Sequence, residues 1–180
     1  MITLIMLVVM TLSAIALIRS TDTTNLIAGN VAFQQGATNS AQQGIQAGMD
    51  FLAGNNSTVL WGVIPSATQY SPVNCNPTQN STEWWVWWRT ITANNVCSSS
   101  GAAFIPKSLP ADASGNTVFY LIERLCNAQG DPSIVTTVCE AKAIEDTSQT
   151  YWYPVQYYRI TAYVSGSKGT QSLVQAIVSQ

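Results

Sequence analysis

The 180 residues hold seven Lys and Arg against nine Asp and Glu, no histidine, and a net charge of −2. Charged side chains make up 9% of the chain, far below the roughly 25% of ordinary globular proteins, so the surface is expected to be polar but nearly uncharged. That balance leaves no basic stripe to neutralise a phosphate backbone, which argues against nucleic acid as a partner. The missing histidine also removes the common nucleophile–base pairs and His-containing metal sites.

The chain opens "MITLIMLVVMTLSAIALI", with no charge before Arg19. As a helix this run is about 27 Å long, close to the roughly 30 Å hydrocarbon core of a bilayer. Met1, Ile2, Leu4, Ile5, Leu7, Val8, Val9, Leu12, Ile15, Leu17 and Ile18 form its apolar surface. Thr3, Thr11 and Ser13 can bond back to helix carbonyls and do little against a spanning role. A cleavable signal carries a basic stretch before its apolar run and a small-residue cleavage site after it. Neither is evident here, so the segment is expected to be retained.

After Arg19, "STDTTNLIAGN" is rich in residues that weaken a helix without stopping it, and a local unwinding is expected there. Then Ala37, Ala41, Ile45, Gly48 and Leu52 recur at steps of three and four, with Gln34, Gln35, Gln42, Gln43 and Gln46 on other faces, the pattern of an amphipathic helix. No proline precedes Pro65, so the apolar run and the stripe are expected to form one almost continuous helix of roughly 53 residues. Gly29, Gly36, Gly44 and Gly48 each cost up to about 1 kcal/mol relative to Ala, which suits close approach of another element. "AGNNST" supplies the stop.

Beyond residue 58 the pattern changes to β-prone runs divided by Pro, Gly, Asn and Ser: "TVLWGVI", "EWWVWWRTIT", "TVFYLIERL", "YPVQYYRITAYV" and "TQSLVQAIVS". "SGSKG" has hairpin length and composition, so the last two runs are expected to pair antiparallel. Ser71 to Asn80, Cys97 to Pro110 and Asn127 to Thr150 read as long loops. The predicted fold is α+β: a long N-terminal helix, with a protruding apolar half and an amphipathic half, packed on a C-terminal antiparallel sheet. Residues 1–53 are the helix, of which 1–18 is the apolar membrane segment, and 54–180 are the head. Cys75, Cys97, Cys126 and Cys139, even in number and without CxxC spacing, predict two disulfides in an oxidising compartment. Chain order favours Cys75 with Cys97 and Cys126 with Cys139, although spacing alone leaves all three pairings open. Each such loop is worth about 3 kcal/mol.

"STEWWVWWRT" places Trp84, Trp85, Trp87 and Trp88 two to each face of a strand. One reading is an aromatic contact surface for sugars or a neighbouring subunit; the other, taken as the default, is a strand buried on both faces. Asp112, Ser114, Asn116 and Glu123 stand at offsets similar to a calcium loop, but Thr117 occupies the place where glycine is needed. Glu145 and Asp146 have no partner motif, and Asn55, Asn56 and Asn80 sit in glycosylation sequons, a weak signal in so polar a chain. No residue is nominated as catalytic, no cofactor or metal is expected, and an enzyme is not the reading.

Together, the retained apolar helix, its amphipathic continuation and the disulfide-tied sheet resemble the type IV pilin superfamily. Two strings narrow the likeness: "TLSAIALIRSTDTTNLIAGNVAFQQGATNSAQQGIQAG" is similar to the helix of PilX-like minor pilins, and "FYLIERLC" with "YYRITAYVSGSKGTQSLVQAIVS" to their C-terminal strands. The resemblance implies a structural subunit that a leader peptidase processes, making Met1 the mature, methylated N-terminus. The subunit would wait in the inner membrane, and an assembly platform would then extract it from the bilayer into an extracellular filament of like or different pilin subunits. Ile5 departs from the glutamate usual at that position, which implies an initiating subunit at the filament tip; a major homopolymer is the alternative. The family's helix-interior proline is also missing, with Asp22 near its place, so any melted stretch is expected at Ser20 to Thr24. A membrane-tethered carbohydrate-binding module using the tryptophans is the reading of another class.

Overall fold

The computed structural model describes residues 2–75, 88, 104–132, 139 and 155–180. Helix α1 runs Ile2–Ala53, followed by a single turn, α2, at Ser57–Leu60. The strands are β1 (Tyr70–Ser71), β2 (Lys107–Ser108), β3 (Thr117–Arg124), β4 (Tyr157–Ser165) and β5 (Gln171–Ser179), with a 3₁₀ turn at Ser167–Gly169. The fold is therefore the expected α+β arrangement of a long N-terminal helix packed on a sheet. The chain divides into two compact units, Met1–Gly36 and Ala37–Gln180. That division falls earlier than the expected 53/54 boundary, because residues 37–52 bury their stripe in the same core as the strands.

The first unit is helix alone. The local unwinding expected after Arg19 is absent: Thr21 Oγ1 donates to the Ile18 carbonyl at 2.8 Å, Thr23 Oγ1 to Arg19 at 3.1 Å, and Thr24 Oγ1 to Ser20 at 2.8 Å. Hydroxyls that compete with helix in a free chain have bonded back onto the helix and left its ladder intact. Thr11 and Ser13 do the same to Val8 and Val9. At the other end, the helix stops at "GNN" as the sequence predicts: the Gly54 amide donates to Asp50 and Asn55 Nδ2 to the Phe51 carbonyl.

In the second unit the sheet order is β1-β3-β4-β5, and β2 shares with β1 the edge of β3 turned away from β4. The antiparallel expectation holds from β2 through β5; β1 makes the sheet mixed by pairing Tyr70 and Ser71 parallel to Ile122 and Glu123. The expected hairpin pairs Tyr157 with Ser179 through to Ser165 with Gln171, and its turn uses Gly169 at φ +77°, a conformation natural to glycine. "TVLWGVI" is not a strand. Its start coils into α2 behind an extended Asn56 and only Leu60 is buried there, so a single anchoring side chain wins over β propensity. Lys107 and Ser108, read as loop, form β2.

Alternation along β3, β4 and β5 gives the sheet two faces. One carries Val118, Tyr120, Ile122, Tyr158, Ile160, Ala162 and Val164, packed with Ala37, Ala41 and Leu52 of α1. Here Gly44 and Gly48 allow close contact: a Cβ at Gly44 would lie 2.9 Å from Ala162 Cβ, and one at Gly48 2.6 Å from Ile160 Cγ2. Gly29 and Gly36, expected to serve the same purpose, meet nothing within 4 Å. The opposite face carries a second core of Val73, Cys75, Trp88, Phe104 and Leu121, flanked by Phe119, Tyr163 and Leu173.

Candidate packing surface and the polar anchors of the head

The largest functional candidate is the apolar surface of α1. Ile2, Leu4, Ile5, Leu7, Val8, Val9, Leu12, Ile15, Leu17 and Ile18 are all exposed, Ile2 at 77%, and Leu26, Ile27 and Val31 continue the series. Met1 lies outside the described residues. An amphipathic surface helix keeps one apolar stripe and turns it inward, whereas here apolar side chains cover every side and none is buried. At about 25 cal/mol per Å², leaving such a surface in water is strongly unfavourable, so it needs an apolar environment from outside the chain. The segment is long and apolar enough to cross a membrane.

In the head, polar groups hold the framework. The Asp112 carboxylate accepts from Ser40 Oγ of α1 at 2.5 Å, from the Ser114 and Asn116 amides, and from Asn116 Nδ2. Asn116 Nδ2 also donates to Ser40 Oγ at 3.0 Å. The residues that looked like part of a calcium loop thus clamp α1 to the turn that launches β3. The Ser40 hydrogen bond, then the Asn116 amide, hold the Asp112 carboxyl down at about 2. Glu123, the fourth member of that pattern, faces the opposite side and pairs with Arg159 at 2.7 Å while accepting from the Cys75 amide at 2.9 Å. Burial pushes the Glu123 carboxyl up against the opposing pull of Arg159 and that amide. Arg159 Nη2 also donates to Asn74 Oδ1 at 3.1 Å, so the pair fixes the segment leading to Cys75.

Arg124, fully buried, donates from Nη2 to the Ala128 and Gly130 carbonyls at 3.1 and 3.0 Å, closing the turn after β3. Its Nε and Nη1 have no hydrogen-bond partner among the described residues. Burial draws its pKa down against the stabilising field of Tyr70 and Tyr158. Burial likewise raises Tyr70, whose hydroxyl donates to the Leu60 carbonyl, and pushes Tyr158 up to about 12. Nothing in single-sequence patterning marks Arg124 or the Glu123–Arg159 pair as interior, because both carry charge on strands whose two faces are covered.

Cys126 is bonded to Cys139 across a separation of 13 residues, as chain order favours, and Cys75 is also in a disulfide. Cys97 lies outside the described residues. Of the tryptophan cluster, Trp88 is 6% exposed and stacks on Tyr163 with ring centroids 5.3 Å apart. It is helical where a strand was expected. The candidate contact surface therefore loses Trp88 to the core. Trp84, Trp85 and Trp87 lie outside the described residues, as do Asn80, Glu145, Asp146 and Pro154.

Comparison with family models, curated proteins and solved structures gives no match.

Proposed function

We propose that the chain is a structural subunit of a type IV pilus-like filament, most like the PilX-like minor pilins. The single observation that carries this reading is the apolar helix surface: from Ile2 to Ile18 no side chain is charged and none is buried. Such a helix is served equally by lipid and by a bundle of like helices, so moving it from a bilayer into a filament core exchanges one apolar environment for another. The gap in polarity at Arg19 then marks where the core segment ends. The head, with its nearly uncharged surface and disulfides, suits the outside of a fibre beyond the inner membrane.

Ile5 supports a place at the filament tip rather than in a homopolymeric shaft. The glutamate usual at this position neutralises the buried N-terminal amine of a neighbour, a role that the first subunit of a fibre does not need. Catalysis has no part in this reading, and the partners are other pilin subunits, the leader peptidase and the assembly platform.

The test is to shear material from cells expressing the chain, pellet filaments and measure subunit stoichiometry by mass spectrometry with N-terminal peptide coverage. Tip placement predicts a substoichiometric chain that keeps residues 2–18. Dominance of this chain in the fibre overturns the tip role, and recovery as a dispersed periplasmic product beginning near Thr21 overturns the filament reading.

A further inference from the structure

Strand β5 ends the sheet, pairing with β4 on one side and with nothing on the other among the described residues. The direction of its open groups follows from the ladder. Gln156 and Gln180 exchange both N–H···O bonds, at 3.3 and 3.0 Å, so the residues of β5 that bond inward are Ser172, Val174, Ala176 and Val178. The amides and carbonyls of Gln171, Leu173, Gln175, Ile177 and Ser179 point out of the sheet edge. All five are exposed except the half-buried Leu173, and Ile177 is 64% exposed.

Natural sheets blunt such an edge with charge, proline, a bulge or brevity. None of these is used here. The strand is nine residues long, pairs with β4 in unbroken register, and carries neither a charge nor a proline. Its outward set is also self-complementary. Read antiparallel about Gln175, the order Gln, Leu, Gln, Ile, Ser sets Leu173 opposite Ile177, Gln171 opposite Ser179, and Gln175 opposite itself. All of these are odd positions, so in that register they form the hydrogen-bonded pairs, and each edge group of one strand meets its complement on the other. With no charge on either strand, self-pairing sets no like charges together, while a strongly basic or acidic strand would find no counterion.

We infer that β5 is a homotypic docking edge, closed by β5 of a second copy in antiparallel register centred on Gln175. The two-fold axis makes the interface isologous and self-limiting at two chains. It also runs residues 37–52 of the two copies in opposite directions, so the contact joins chains that approach from opposing sides, a contact separate from the helix-to-helix packing of the proposed function.

The test uses the whole chain in detergent micelles, in which no native cysteine among the described residues is free. Hydrogen-bonded antiparallel partners stand about 5.5 Å apart between Cα atoms, within disulfide range. Q175C is therefore expected to form a disulfide-linked dimer under mild oxidation at least tenfold faster than Q171C or S179C, whose self-partners are out of reach. Adding I177K to Q175C is expected to reduce that rate at least tenfold while the melting temperature stays at the parent value, because the side chain is exposed in the monomer. Equal rates at positions 171, 175 and 179, or no linked dimer from Q175C, would overturn the inference.

Discussion

Gly48 of α1 lies against Ile160 of β4 so closely that an added Cβ would stand 2.6 Å from Ile160 Cγ2 and 3.1 Å from Cδ1. Ile160 is β-branched and fully buried, so it has little freedom to move aside. Overpacking of this kind costs about 1–3 kcal/mol, more than the roughly 1 kcal/mol that alanine returns in helix propensity. Gly48→Ala is expected to lower the melting temperature of the head, followed by near-ultraviolet circular dichroism, whereas Gly29→Ala, with nothing within 4 Å, leaves it in place. A Gly48→Ala protein that melts at or above the parent would show that the helix can lift off the sheet without loss.

The clamp at Asp112 makes stability depend on acid. Its carboxyl is held down at about 2 from an ordinary value of 3.8, so the folded state favours the ionised form. The resulting stabilisation is complete above the ordinary value and is lost as pH falls through about 2. Melting temperatures measured between pH 5 and pH 2 are expected to fall more steeply for the parent than for Asp112→Ala. Parallel curves would remove Asp112 from the acid response.

Trp88 tests how the tryptophans are used. Buried and stacked on Tyr163, it fills the second core, and truncation to Ala is expected to cost about 3–5 kcal/mol in denaturant unfolding. A side chain kept for binding at the surface would leave the unfolding midpoint where it is in the parent.

Leu12 lies mid-way along the apolar segment and is 62% exposed. Leu12→Arg adds about 2.5–3.5 kcal/mol to membrane insertion, so the chain is expected to shift from the membrane pellet to the soluble fraction in a flotation assay. The head has its own core and is expected to keep its melting temperature. Unchanged flotation would mean that the segment is held by something other than the apolar phase.

How far the sequence foretold this molecule depends on the length of each signal. The stripe from Ala37 to Leu52 and the β4–β5 hairpin were legible because their periodicity runs for many residues and their turn carries glycine. β1 and β2 were not, since two residues give no period and their pairing is set by where β3 lies. Around Val59 the β-branched composition misled, because burial of Leu60 decides the backbone there. Gly44 and Gly48 were foreseen as contact points for the right reason, while Gly29 and Gly36 show that glycine spacing alone does not locate a neighbour. The charged interior, Glu123, Arg124 and Arg159, was hidden: charge reads as surface until the second layer above the strand is known.

The divided edge of β3 gives the sheet a strongly tied side and a weakly tied side. Toward β4 it meets one unbroken partner over eight paired positions, but toward β1 and β2 it meets two fragments that pair at two positions each. Two-position ladders hold few hydrogen bonds against opening, whereas the central ladder gives way only over its whole length. Amide protons of the flank carrying Tyr70 and Lys107 are expected to exchange with solvent while the β3–β4–β5 ladder is still intact, which makes that flank a seam along which the head opens without losing its centre.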